Sequence, residues 1–120
     1  MTVFEAVGGV ETFNKLVEAF YAGVEQDPVL RPMYPEDLGP SKRHLALFLM
    51  QYFGGPRTYI EERGHPRLRA RHLPFPIGQS ARDAWIRHMT AALQSLSLPP
   101  AAQREFLTYF ESAATFLMNR

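Results

Sequence analysis

Apolar side chains recur at helical spacing in four separate segments of the chain, and this pattern constrains the fold more than any other feature of the sequence. In the first segment they occupy positions 13, 16, 17, 20, 21 and 24, the i, i+3, i+4, i+7 pattern of an amphipathic helix. Thr12 is a suitable N-cap for this helix, and Asp27-Pro28 is expected to end it.

Three further helices are predicted by the same rule. Ser41 is the expected N-cap of the second, which Gly54-Gly55-Pro56 closes. Ser80 and Asp83 resemble a capping box at the start of the third, whose inward face carries Trp85, and the fourth has its apolar face between positions 106 and 117. Four such helices in 120 residues predict an all-α protein with one domain, residues 1–120, because that length suits a single hydrophobic core.

The stretch 54–78 is too rich in proline and glycine to belong to a simple up-and-down bundle. Within it, HPRLRARH predicts a short helix with Pro66 in its first turn, ended by Leu73-Pro74. Another short helical piece is expected at residues 28–31, before the turn-like MYPEDLGP. Some additional group is therefore expected to organise the middle of the chain.

The composition is that of a folded protein with no strong preference for nucleic acid. Hydrophobic residues make up 46% and charged residues 21%, and the formal net charge is +1, with the basic residues crowded into one segment. The chain contains no cysteine, which excludes disulfides and thiolate metal ligands. No apolar run approaches the roughly 20 residues of a membrane span and no targeting segment is evident, so a cytoplasmic location is the default expectation.

His72 ends the predicted HPRLRARH helix, with Leu68 one turn earlier on the same face, so its side chain is expected to face apolar surroundings. A half-buried histidine bonded to a backbone carbonyl would explain this position. So would the single protein ligand of a heme iron, since the porphyrin supplies the other four nitrogens. In that second interpretation Arg69 or Arg71 would pair with the heme propionates, although a solvated basic face explains both arginines equally well.

The other histidines carry weaker signals. His65 lies seven residues before His72 and is a candidate partner in a two-histidine metal site, but no carboxylate completes a triad in that helix. His44 and His88 lie in separate helices and are predicted to be surface or boundary residues.

Tyr21, Tyr34 and Trp85 are polar-tipped aromatic residues that are expected near the interior. Each is explained by core packing with its O–H or N–H bonded to the backbone. Together they are also suited to donate hydrogen bonds to an electron-rich ligand.

The chain resembles the truncated hemoglobins of group II in a series of ordered motifs that cover almost its whole length: AVGG, FYAGV, DPVLRPMYPEDL, FLMQYFGGPRTY, RGHPRLRARHLPFPIG and DAWIRHM. The resemblance implies a two-over-two α-helical sandwich around non-covalently bound heme b. It also implies that the protein binds dioxygen, carbon monoxide and nitric oxide. Phe53 stands where the family commonly has the tryptophan of QYWGG, which keeps an aromatic ring at that position.

The resemblance also implies roles for individual residues. His72 matches the proximal histidine that binds the iron. Tyr59 and Arg71 match residues that approach the propionates. The expected distal residues, which lie around the bound gas, are Tyr21, Tyr34, Ser41, Leu45 and Trp85, and none of them is a histidine. The expected contacts with the remaining heme surface are Phe48, Leu49, Phe53, Leu68, Phe75 and Met89.

The physiological task stays open at this point. One hypothesis is reversible dioxygen binding, for storage or oxygen transport, with Trp85 and Tyr21 donating hydrogen bonds to the ligand. A second is a redox enzyme, a nitric oxide dioxygenase or a peroxidase, which would need an external electron donor such as a reductase, because the chain carries no reductase domain or flavin site. A third, independent of the resemblance, is a heme-free helical interaction module. A homodimer is compatible with each of them.

Overall fold

The computed structural model describes residues 1–120 and is entirely helical. The α-helices are α1 (Val3–Ala6), α2 (Val10–Glu25), α3 (Gly39–Tyr52), α4 (Thr58–Arg63), α5 (Leu68–His72), α6 (Gln79–Gln94) and α7 (Pro100–Phe116), and a short 3-10 helix spans Arg31–Met33. The predicted all-α class is therefore confirmed. None of the helices is long and apolar enough to cross a membrane.

The four long helices form two packed pairs. Helix α2 packs against α3, and α6 packs against α7, while α2 also lies against α6 and joins the two pairs. This is the two-over-two sandwich expected from the resemblance. The interior between the pairs is filled by large side chains with almost no exposed surface, among them Phe13, Phe20, Phe106 and Phe110.

One close approach between the pairs depends on a glycine. A Cβ atom at Gly23 would overlap the ring of His88, so α2 lies this close to α6 only because the position has no side chain. His88 is thereby held between the two helices and is half-buried, which agrees with its prediction as a boundary residue.

The long helices begin within one turn of their predicted starts, but different residues precede them. Gly9, not Thr12, precedes α2, and the Thr12 hydroxyl instead donates to the Val7 carbonyl at 2.6 Å. Helix α3 begins at Gly39 with a proline in its first turn, so Ser41 lies inside the helix. A proline already has the helical φ and needs no hydrogen-bond partner for its nitrogen, which explains the earlier start.

The predicted capping box at the start of α6 is absent. The helix begins at Gln79, after the extended residue Gly78, and no side chain caps it. Asp83 accepts from the Gln79 side chain at 2.8 Å and from Arg82 at 3.2 Å. Its carboxylate is therefore engaged by side chains instead of by the backbone of the first turn.

The irregular middle of the chain also differs from its prediction. Pro66 lies outside α5, because Arg67 has a left-handed backbone (φ 46°) that interrupts the helix before Leu68. The short helical piece lies at Arg31–Met33 and not at 28–31. The Asp27 carboxylate accepts from the Val29 and Leu30 amides, and this turn displaces the helix along the chain.

Candidate functional site

An apolar cavity of about 350 Å³ lies among the helices. Residues from α2, α3, α6 and α7 line it together with residues from α4, α5 and the segment 30–35. Of the 25 lining residues 18 are hydrophobic, so the space suits a largely apolar occupant.

Most of the predicted site residues converge on this cavity. Those that line it are Tyr21, Tyr34, Ser41, Leu45, Phe48, Leu49, Tyr59, Leu68, Arg71, His72, Phe75 and Trp85. Phe53 and Met89 lie in the hydrophobic core and not on the cavity wall. Phe53 immediately follows α3, and the centroid of its ring lies 4.4 Å from that of Phe106. Met89 has no exposed surface.

His72 lies at the end of α5 with its ring on the cavity. Its Nδ1 is 2.5 Å from the carbonyl oxygen of Leu68. A carbonyl can only accept, so Nδ1 carries the proton, and in the neutral imidazole the Nε2 lone pair is left free. The backbone bond and a role as metal ligand are therefore compatible, because such a bond is what usually orients a ligating histidine.

Asn119 fixes the segment that follows His72. Its side-chain amide donates to the carbonyls of His72 (3.3 Å) and Phe75 (2.9 Å), and its Oδ1 accepts from the Ile77 amide at 2.9 Å. These contacts join positions more than forty residues apart, which is why no local sequence pattern predicts them.

Tyr21, Tyr34 and Trp85 lie together on the cavity wall. The rings of the two tyrosines meet edge to face at 5.5 Å. Burial raises the pKa of Tyr34 to about 12 and that of Tyr21 well above its usual value, and the Tyr21 hydroxyl and the Trp85 indole N–H, which act on the Tyr34 oxygen as donors, partly offset the rise at Tyr34. Both phenols therefore keep their protons at neutral pH.

The polar part of the cavity wall is basic. Arg63, Arg71, Arg82 and His44 line it, and no aspartate or glutamate does. Arg63 Nη1 donates to His44 Nε2 at 3.0 Å, and burial together with this guanidinium lowers the pKa of His44, which keeps the imidazole neutral. Arg82 is paired with Asp83, but Arg63 and Arg71 have no carboxylate partner, so an anionic group on the occupant would meet their positive charge.

Arg63 carries the most specific sign of what the cavity holds. Its Nε is buried and has no hydrogen-bond partner. Buried N–H groups are almost always bonded, so this donor is an exception that an acceptor on an occupant of the cavity would remove. An apolar cavity, cations at its edge and the free Nε2 of His72 together fit heme, with its porphyrin ring, its carboxylates and its iron.

The remaining candidates do not join this arrangement. His65 is exposed, and its Nδ1 accepts from the Arg67 amide at 3.0 Å. The Arg69 guanidinium lies 5.5 Å from the ring centre of Phe116, outside the cavity. No group of three or more His, Asp or Glu side chains is assembled to hold a metal ion directly.

Sequence reasoning missed about half of the cavity wall. Some missed residues are in the loops and the short helix α4, and others belong to the inner face of α7, which its helical pattern marks only as core. They are Leu30, Met33, Pro35, His44, Arg63, Ile77, Ala81, Arg82, Tyr109, Phe110, Ala113, Ala114 and Leu117. A helical pattern identifies a buried face, but whether that face meets a cavity or another helix depends on the tertiary packing.

Comparisons with known protein families, sequences and solved structures all find similarity to globins. The family model for bacterial-like globins matches residues 2–119. A group 2 truncated hemoglobin from Bacillus subtilis (strain 168), YjbI, is 41% identical over 117 residues, which make up 98% of this chain and 88% of that protein. The crystal structure of a hemoglobin from Chloroflexus aurantiacus is 57% identical with a TM-score of 0.98, covering 100% of this chain and 99% of the other. A truncated oxygen-avid hemoglobin from Bacillus subtilis is 40% identical with a TM-score of 0.94, covering 99% and 100%.

Proposed function

Because this chain belongs to the truncated hemoglobins of group II, we propose that its cavity holds heme b, with His72 as the iron ligand, and reversibly binds dioxygen and other diatomic gases. When bound, heme would supply an iron that a histidine can ligate and that can bind such a gas. Everything else in the proposed function depends on residues of this chain.

The observation that carries the proposal is the orientation of His72. The Leu68 carbonyl holds the Nδ1 proton and thus leaves Nε2 as the only ring nitrogen with a lone pair, on a ring that lines an apolar cavity. Asn119 restrains the segment just after it through the His72 and Phe75 carbonyls. These restraints support a fixed direction for the histidine, as iron coordination requires.

Arg63 and Arg71 are proposed to hold the carboxylates of the cofactor. Both line the cavity, and the unpartnered Nε of Arg63 would gain the acceptor it lacks. Arg71 donates to the Arg63 backbone carbonyl at 3.4 Å, which holds the Arg71 side chain against the end of α4. Charge-assisted bonds of this kind orient a carboxylate as well as bind it.

Tyr34 is proposed to be the direct donor to the bound gas. The Tyr21 hydroxyl and the Trp85 N–H act on the Tyr34 oxygen as donors, and in the proposed arrangement both donate to it, which leaves the Tyr34 proton for the gas. The surrounding wall is mostly apolar, and a hydrogen bond is stronger there than in water. The sequence-based hypothesis has Trp85 and Tyr21 as the main donors and Tyr34 as a third, and the proposal here makes Tyr34 the direct one.

The test is the absorption spectrum of purified protein after addition of hemin and, once reduced, of carbon monoxide. We expect a Soret band that shifts with carbon monoxide. His72→Gly should lose the spectrum of a histidine-ligated iron, and free imidazole should restore it by filling the space left by the side chain. His65→Ala is the matched control, since that histidine is exposed and bonded only to the Arg67 amide.

A protein that takes up no hemin would contradict the proposal and favour the heme-free interaction module. A His72→Gly variant with the unaltered spectrum would show that another residue binds the iron.

A further inference from the structure

Two tyrosines connect the cavity to the protein surface. Tyr109, in α7, lines the cavity, and Tyr52, at the end of α3, is 54% exposed. Their rings are stacked, with centroids 3.9 Å apart and planes inclined by 29°. No other pair of aromatic rings in the molecule is so close.

Packing alone does not account for two tyrosines here. Both rings pack on Phe53, at 5.0 Å from Tyr52 and 5.8 Å from Tyr109, and phenylalanine would make the same contacts. The chemical difference is that a phenol gives up an electron far more easily than a benzene ring does.

The other tyrosines lack access to solvent of this kind. Tyr21 and Tyr59 are each 4% exposed, and Tyr34 is half-buried with its ring edge to face on that of Tyr21. Tyr52 is therefore the one exposed tyrosine, and its closest ring contact is with Tyr109 on the cavity wall.

We propose that Tyr52 and Tyr109 pass single electrons from a small reductant at the surface into the cavity, so that the heme-loaded protein reduces hydrogen peroxide while oxidising phenols at Tyr52. The inference rests on the proposed heme binding and extends it to a second activity. It needs no reductase, because the electrons enter one at a time at an exposed side chain.

The electrons and protons of this reaction balance as follows. Tyr52 loses one electron through the Tyr109 ring and its phenolic proton to water, and becomes a tyrosyl radical. Two such events supply the two electrons that, with two protons, convert one hydrogen peroxide into two waters. Each radical is reduced when a phenol donor transfers a hydrogen atom to it, which restores the Tyr52 hydroxyl and leaves a phenoxyl radical of the donor.

Burial raises the pKa of the Tyr109 phenol to about 12, and the neighbouring Tyr52 adds to the shift. Tyr109 is thus fully protonated at neutral pH. The proton released on oxidation therefore leaves from Tyr52, where solvent can accept it.

The test treats the ferric, heme-loaded protein with hydrogen peroxide in the absence of a donor. A radical on exposed Tyr52 should couple with that of a second copy, giving dityrosine fluorescence and a dimer that survives denaturing electrophoresis. We expect Tyr52→Phe and Tyr109→Phe each to reduce this dimer at least tenfold. Tyr52→Phe should also slow peroxide-dependent phenol oxidation at least fivefold, while its carbon monoxide spectrum stays unchanged.

A second variant tests whether an exposed tyrosine must stack on a ring of the cavity wall, or whether exposure alone is enough. Phe116 is 55% exposed but does not line the cavity or stack on a ring that does. Adding Phe116→Tyr to Tyr52→Phe therefore should not restore the dimer. Restoration, or a Tyr52→Phe dimer at the wild-type level with normal heme spectra, would overturn the electron path alone. Absence of a Soret band would overturn the proposed heme function together with it.

Discussion

The Tyr34 hydroxyl lies near two other polar side chains of the cavity wall, Tyr21 and Trp85. Tyr21 in α2 and Trp85 in α6 both act on it as donors, although it belongs to neither helix. In the proposed arrangement both side chains donate to the Tyr34 oxygen, so that a residue in a connecting segment would set the directions of two donors on rigid helices. Loss of this oxygen would then leave both donors without their acceptor.

Tyr34→Phe is expected to raise the dioxygen dissociation rate of the heme-loaded protein about tenfold, the equivalent of one hydrogen bond of about 1.4 kcal/mol. Tyr21 acts through Tyr34, so the double variant Tyr21→Phe/Tyr34→Phe should dissociate dioxygen no faster than Tyr34→Phe alone. The measurement is stopped-flow displacement of dioxygen by carbon monoxide.

Tyr52→Phe is the matched control for this series, since it removes a tyrosine hydroxyl outside the cavity. Effects of Tyr21→Phe and Tyr34→Phe that add independently would contradict the role of Tyr34 as the common acceptor.

At the scale of elements, one carboxylate ties the end of α2 to α6. Asp27 Oδ1 accepts from the Val29 and Leu30 amides at 2.8 and 3.2 Å. Its Oδ2 accepts from His88 Nε2 at 2.6 Å and from Arg87 Nη2 at 3.1 Å. Since α2 carries Tyr21 and α6 carries Trp85, this link also bears on the spacing of the two donors.

The link predicts a dependence of stability on pH. The hydrogen bond from His88, aided by the two backbone amides, holds the pKa of Asp27 below its usual 3.8. The folded carboxyl therefore binds a proton less readily than the unfolded one. Its contribution to the free energy of unfolding is complete above about pH 5 and is lost as the pH falls through the unfolded value toward the lower folded value.

Asp27→Asn keeps an oxygen for the two backbone amides but removes the charge. We expect the free energy of unfolding at pH 7 to fall by about 2 kcal/mol, and the loss of stability below pH 4 to become shallower. Urea denaturation at several pH values measures both. Asp37→Asn is the matched control, because Asp37 also accepts from a backbone amide, that of Gly39 at 2.9 Å, without an ion-pair partner. An equal effect of the two substitutions would contradict the role of the charge.

For the whole molecule, the cavity separates a well-packed part from a weakly packed one. The buried core is built by α2, α3, α6 and α7, with a smaller share from the segment 24–38. Helix α5 contributes no buried residue, and α4 contributes only Tyr59, which faces the cavity. The segment that carries His72 therefore has few buried side chains of its own to stabilise it.

Removal of heme is expected to loosen this segment selectively. Backbone amides from α4 to the start of α6 should exchange hydrogen much faster in the apoprotein, whereas those in the middle of α2 and α7 should remain protected. The melting temperature should also fall, because a ligand present at about 1,000 times its Kd stabilises the folded state by about 4 kcal/mol. Hydrogen exchange with mass spectrometry tests this, and equal protection of α5 with and without heme would contradict it.

The sequence by itself determined the helical class, the four long helices and the residues that carry the family resemblance. These follow from local information: the spacing of apolar residues along each segment, and motifs such as RLRARH and DAW that keep their order in the chain. Most of the predicted pocket residues line one cavity for the same reason, since all but Tyr34 and Phe75 lie on a face that their own helix turns inward.

Only the tertiary structure decided how the cavity wall is completed. Arg63 with its unpartnered Nε, Asn119 across from His72, and Tyr109 stacked on Tyr52 all depend on contacts between residues distant in the chain. The same is true of Phe53 and Met89, which the packing of α2 and α7 draws into the core. A side chain's helix fixes the direction in which it points, but what it meets there is fixed by which other elements pack against that face.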